Sequence, residues 1–127
     1  MTIISISLNE KILEEIDKLQ NDSGYSGRSE VIRAGIRSLL SESKDRELLT
    51  GRLKSVLLVV HDTDAEETIT EIKHKFDDII DTQIHSHLKG EKCLEIFILD
   101  GDAGRIKQLI KMPQLNKKVD YVKLIVT

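Results

Sequence analysis

The chain has 127 residues, 39% apolar and 32% charged, with a formal net charge of −3 at pH 7, so the whole-chain field does not favour nucleic acid and any such role would have to rest on local features. No apolar run approaches the roughly 18 residues of a membrane helix, Met1 to Leu8 is too short and too strictly alternating for a signal peptide, and a single cysteine fits the reducing cytoplasm. The length suits one domain or two small ones, and each half alone would have a thin core that oligomerisation supports.

From Thr2 to Leu8, Ile4, Ile6 and Leu8 share one face while Ile3, Ser5 and Ser7 share the other, which predicts a short strand with one apolar side. Asn9 caps a first helix carrying Ile12, Leu13, Ile16 and Leu19, which Asn21-Asp22-Ser23-Gly24 ends. Ser26-Gly27-Arg28-Ser29 is a second capping cluster, and the amphipathic helix after it carries Val31, Ile32, Ile36, Leu39 and Leu40. One strand and two short helices cannot bury three apolar faces alone. This βαα unit, residues 1–43, is therefore expected to fold as an intertwined dimer in which the lone strand pairs with its copy.

Residues 44–52 are polar and charged and contain Gly51, which makes them the candidate linker. Residues 53–127 then read as βαββαβ. Leu53 to Val60 is a β-branched strand, and Thr63 or Asp64 caps a helix with Ala65, Ile69, Ile72 and Phe76 on one side. Ile79 to Leu88 and Cys93 to Leu99 form a hairpin, and Asp100-Gly101-Asp102 is a turn and cap. A helix with Ile106, Leu109 and Ile110 stops at Met112-Pro113, and Val119 to Val126 is the last strand. The order is that of the ferredoxin-like split βαβ, also called the ACT-type fold, so the whole chain is α+β. Such a sheet leaves one face to pair with another copy. With one partner for the strand and a second for the sheet, the expected assembly is a homotetramer, a dimer of dimers.

Between Lys73 and Glu95 the chain concentrates His74, His85, His87 and Cys93, which are three of its four histidines and its only cysteine. His85 and His87 point the same way on a strand, and a return through Lys89-Gly90-Glu91 brings Cys93 beside them. A thiolate with imidazoles suits nickel, copper or zinc far better than magnesium or calcium. Taken singly, His-x-His is also a common solvated strand face and a lone Cys a small buried hydrophobe. If Cys93 faces the site so does Glu95, two residues on, where it can orient a ligand imidazole. His61 is expected to be solvent-exposed or a weak secondary metal site, and Glu66-Glu67 to complement a helix dipole. No phosphate loop, paired carboxylates or Ser-His-Asp order is present, so no catalytic residue is assigned and the chain is expected not to be an enzyme.

These residues resemble the nickel-responsive transcriptional repressors of bacteria and archaea. Thr2 to Leu40 is similar to their ribbon-helix-helix domain, with Gly24-Tyr25 and Arg28-Ser29-Glu30 before the second helix, and the remainder is similar to their regulatory domain, with His74, His85-x-His87 and Cys93-Leu94-Glu95. The chain departs from the family at the outward ribbon set, Ile3, Ser5 and Ser7, which holds no Arg, and at Ala34, where an acid is usual. The resemblance implies one nickel ion per subunit in a square-planar set, held by His85, His87 and Cys93 of one chain and His74 of its neighbour. It implies that Ile3, Ser5 and Ser7 enter the major groove of double-stranded operator DNA while Arg28 and the amides near Ser29 grip phosphate. The function implied is a cytoplasmic repressor of nickel uptake genes whose operator binding is controlled by nickel. Two other readings are a ribbon-helix-helix regulator whose ACT-type domain senses an organic small molecule, and a zinc hydrolase, against which four donors and no open position argue.

Overall fold

Asn9 is extended, and its side-chain oxygen accepts a hydrogen bond from the Ile12 amide at 2.9 Å, so it caps α1, Glu10–Ser23. The structure, a computed structural model, describes Thr2–Thr127 and divides into two units, Met1–Leu48 and Leu49–Thr127. In the first, α1 closes at Gly24, whose φ of 73° is the left-handed conformation glycine adopts freely. Gly27, not a serine, occupies the cap position of α2, Arg28–Glu47, and makes no side-chain bond there. α2 takes in the first residues of the stretch expected to be a linker, where Lys44 and Arg46 complement the C-terminal end of the helix dipole.

Residues 2–8 form no strand within the chain. A strand exists only through hydrogen bonds to a neighbour, and the single copy offers none, so Ile4 and Ile6 stand 79% and 60% exposed. Ile16 and Val31 are the buried residues of this unit among those described, while Ile12, Leu19, Ile36, Leu39 and Leu40 are exposed. Two buried aliphatic side chains contribute about 1.5–3 kcal/mol each, whereas ordering backbone costs about 1–2 kcal/mol per residue. The unit therefore needs further apolar contact to be stable.

The second unit is a four-stranded antiparallel sheet in the order β2-β3-β1-β4, from β1 Arg52–Asp62, β2 Ile80–Leu88, β3 Lys92–Asp102 and β4 Val119–Val126. Helices α3, Glu66–Lys75, and α4, Ala103–Gln114, give the βαββαβ order of the ferredoxin-like fold. Leu57 and Val59 of β1 with Phe97 and Leu99 of β3 pack against Ile69, Ile72 and Phe76 and against Ile106, Leu109 and Ile110. Alternation sends Ile84, Ile98, Tyr121 and Ile125 to the opposite face, where they are exposed.

Several local readings are corrected. Neither Thr63 nor Asp64 caps α3: a 3-10 turn, Thr63–Ala65, leads into it, and the Thr63 hydroxyl donates to the Glu91 carbonyl at 2.8 Å instead. Asp100-Gly101-Asp102 is not a turn, because Arg52 to Lys54 extend β1 and pair with it as strand. Only Asp102 caps, accepting from the Gly104 amide at 2.9 Å. Pro113 lies inside the last turn of α4 rather than stopping the helix before it, and its ring is buried. Gly101 has a packing reason: a Cβ there would stand 2.4 Å from Ile79 Cγ2 and 2.9 Å from its Cβ. Gly101→Ala is expected to lower unfolding free energy by about 1–3 kcal/mol, as overpacking does, measured by urea titration.

Candidate metal centre

The loop Lys89-Gly90-Glu91 reverses the chain with positive φ at both Gly90, 74°, and Glu91, 59°. The register that follows sets His87 opposite Cys93 and His85 opposite Glu95, so these side chains share the sheet face that also carries Phe97. Cys93 Sγ lies 3.6 Å from His87 Nδ1, and the rings of His85 and His87 meet edge to face with centroids 4.9 Å apart. One donor atom from each of His85, His87 and Cys93 lies within 4.8 Å of the other two. Two imidazoles and a thiol converging on one point are a donor set for nickel, copper or zinc, so the residues fit such an ion.

Glu95, 1% exposed, anchors this cluster from below. Its Oε1 meets His85 Nδ1, and its Oε2 accepts from Gln83 Nε2 at 2.8 Å. A His85 proton held on Nδ1 by that contact leaves the Nε2 lone pair for an ion. His61 completes the support, which corrects the expectation of an exposed residue or a secondary metal site: it is 0% exposed. Its Nδ1 donates to the Asp62 carbonyl at 2.7 Å, and its Nε2 lies 3.2 Å from Glu95 Oε1. The reason is strand length, since β1 continues to Asp62 and His61 carries on the inward alternation of Leu57 and Val59. On the outer side, Glu66 at the start of α3 brings Oε1 to 3.3 Å from His85 Nε2.

His74 lies in the last turn of α3, exposed, and does not join the other three within the chain. In the first unit Ile3, Ser5, Ser7, Arg28 and Ser29 are exposed. Arg28 holds Asp17 with two bonds, Nε to Oδ1 at 2.8 Å and Nη2 to Oδ2 at 3.0 Å. This hydrogen bond above all keeps the Asp17 carboxyl below its ordinary value and raises that of Arg28. Glu30 is lowered likewise by hydrogen bonds from Arg37, at 2.7 Å, and then Arg33, at 3.3 Å.

Residues 55–127 match the family described as NikR C terminal nickel binding domain, and residues 2–43 match ribbon-helix-helix proteins of the copG family. The chain belongs to the nickel-responsive regulator family. Among these regulators, a protein of Halobacterium salinarum named "Putative nickel-responsive regulator" is 35% identical over 127 residues, covering 95% of this chain and 89% of its own. One of the same name from Methanocaldococcus jannaschii is 40% identical over 127 residues, covering 98% and 90%. An uncharacterized protein from Thermotoga maritima shares fold only, with a TM-score of 0.56 and 19% identity over 60% of this chain and 98% of that one. The nickel-responsive regulators are transcription regulators, not enzymes, with a ribbon-helix-helix DNA-binding domain ahead of a nickel-binding one. No helix among the described residues is long and apolar enough to cross a membrane.

Three side chains in contact with this cluster have positions that the sequence reading does not give: His61, Gln83 and Glu66. For His61 the signal was present, as the fourth inward position after Ser55, Leu57 and Val59. Gln83 likewise sits two residues before His85, on the same face. Nothing local marks Glu66, whose contact depends on how α3 lies over β2.

Proposed function

We propose that this chain is a nickel-responsive repressor of nickel uptake genes, acting in the cytoplasm on double-stranded operator DNA. The observation that carries the reading is the convergence of His85, His87 and Cys93 within 4.8 Å, in a chain whose residues 2–43 match ribbon-helix-helix proteins. Residues 1–43 read DNA, 44–52 link, and 53–127 hold metal and build the tetramer. His85, His87 and Cys93 supply three donors from one subunit, and the exposed His74 supplies the fourth to a neighbour's site, one nickel per subunit. A square-planar set of this kind is one that low-spin nickel accepts and zinc does not favour.

Glu95 holds His85 in the tautomer that presents Nε2, and His61 and Gln83 hold Glu95. The exposed isoleucines of residues 2–8 and the open helix faces support a ribbon dimer, and the uncovered sheet face supports a second contact. Ile3, Ser5 and Ser7 read the major groove, while Arg28, kept in place by Asp17, and the amides near Ser29 meet phosphate. Fluorescence-based DNA titrations with and without nickel test the whole reading, and metal-independent affinity would remove the sensing role. In the same assay Arg28→Ala is expected to weaken binding to every sequence and to reduce the salt slope by about 1, whereas Ser5→Ala or Ser7→Ala alters sequence preference.

A further inference from the structure

The outward side of residues 2–8 carries Ile3, Ser5 and Ser7. Ile3 is the most exposed large apolar residue among those described, at 90%. Ribbon pairing does not cover it, because alternation turns Ile4, Ile6 and Leu8, not Ile3, toward the helices of a dimer. An isoleucine on the wet side of a strand adds nothing to the core and holds apolar surface in water. Its outward neighbours are hydroxyls, each both a donor and an acceptor, so Ser5 and Ser7 can meet the edge of any base pair. Neither can make the paired bonds by which Arg selects guanine or Asn selects adenine. What this set distinguishes therefore depends chiefly on its apolar member. In the major groove the apolar feature of the base edges is the thymine C5-methyl.

We infer that Ile3 is a specificity-determining residue that packs on a thymine C5-methyl, so that the DNA this chain prefers carries thymine at the base pair facing Ile3. This rests on the reading of residues 2–8 as a ribbon that enters the major groove. Selection works in two directions. Against thymine, contact removes the methyl and the isoleucine side chain from water together. Against guanine or cytosine, Ile3 covers N7 and O6, or the N4 amino group, with hydrocarbon that returns no hydrogen bond. The β-branched side chain is stiff at χ1, so holding it against a methyl costs little rotamer entropy. In an antiparallel ribbon the two copies of Ile3 lie at opposite ends, and each dimer addresses two thymines related by its two-fold axis. Phosphate contacts at Arg28 and Ser29 fix the register in which this happens and carry no sequence themselves.

The test starts from a duplex selected out of a randomised pool by the full-length protein with nickel present. Each thymine of that duplex is replaced in turn by deoxyuridine, which removes the C5-methyl and keeps every hydrogen-bonding group. Fluorescence anisotropy then gives the affinities of wild type and Ile3→Ser for each duplex. At the thymine facing Ile3 the replacement is expected to weaken wild type about fourfold, the worth of one buried methyl. Ile3→Ser is expected to bind the thymine and deoxyuridine duplexes equally, so the loss belongs to the pair and not to either partner alone. Guanine at the same position is expected to cost wild type at least roughly fivefold. The slope of affinity against salt is expected to be the same for both proteins, because this contact neutralises no phosphate. A selected duplex that holds no thymine, or a wild-type protein indifferent to deoxyuridine at every one, would overturn the role of Ile3 and leave ribbon recognition standing. An undiminished deoxyuridine effect in Ile3→Ser would place another residue on the methyl and overturn it as well. A pool from which wild type enriches no sequence would remove the ribbon reading itself, and Ile3 with it.

Discussion

Cys93→Ala is expected to abolish the thiolate-to-nickel charge-transfer absorption and the nickel-dependent part of DNA binding, with nickel affinity falling at least roughly 100-fold. Removing one sulfur from a buried position costs on the order of 1 kcal/mol of fold stability, so the metal-free variant should still melt cooperatively. The two effects separate because the thiol is a minor part of the core and a principal part of the proposed donor set. Sγ sits 3.6 Å from His87 Nδ1, and imidazoles alone offer an ion weaker and less soft bonding. Regulation follows from linkage: an ion changes DNA affinity only by as much as it prefers one arrangement of the ribbons over another. Without tight occupancy that preference has nothing to act through. Anaerobic nickel titration followed by operator binding measures both. A surviving band would mean that the thiol is not a ligand.

The centre was legible where it depends on strand alternation and illegible where it depends on packing between elements. His85-x-His87 and the short return to Cys93 prescribe a shared face whatever the exact hairpin geometry, and the register delivers it. Glu95 follows by the same period. His61 was misread because the first strand of the domain was ended at Val60. The bulge between Val60 and His61 in the pairing with β4 leaves the pairing with β3 unbroken, so His61 lies opposite Cys93 and points inward. Glu66 looked like an ordinary helix-dipole acid, since its approach to His85 is set by the docking of α3 on the sheet.

The same division runs through the fold. Core positions Ile69, Ile72, Phe76, Ile106, Leu109 and Ile110 were readable from helical spacing, and all are buried. Strand ends were not: Asp100-Gly101-Asp102 has turn composition, yet pairing with Arg52 to Lys54 overrides it, and Gly101 is there to let Ile79 pass. Local composition predicts a turn only when no neighbouring strand reaches that far. The alternation of residues 2–8 is the converse case, a strand pattern with no ladder inside the single chain.

Mixing His74→Ala subunits with Cys93→Ala subunits is expected to restore tight nickel sites that neither variant forms alone. His74→Ala keeps His85, His87 and Cys93 and should bind nickel weakly, while Cys93→Ala keeps His74 but lacks the thiol. Within one chain His74 stands apart from the converged trio, exposed in the last turn of α3. If each site takes its trio from one subunit and His74 from another, a mixed interface holds one site with all four donors and one lacking both His74 and Cys93. Nickel added after subunit exchange should therefore recover part of the wild-type charge-transfer intensity and part of the nickel-dependent DNA affinity. Bridging would also give the ion a regulatory effect, because a ligand shared by two chains favours the subunit arrangement that brings its donors together. Were His74 to act within its own chain, every subunit in the mixture would lack one donor and exchange would recover nothing. Equal behaviour of His74→Ala and wild type in nickel affinity would exclude His74 from the site altogether.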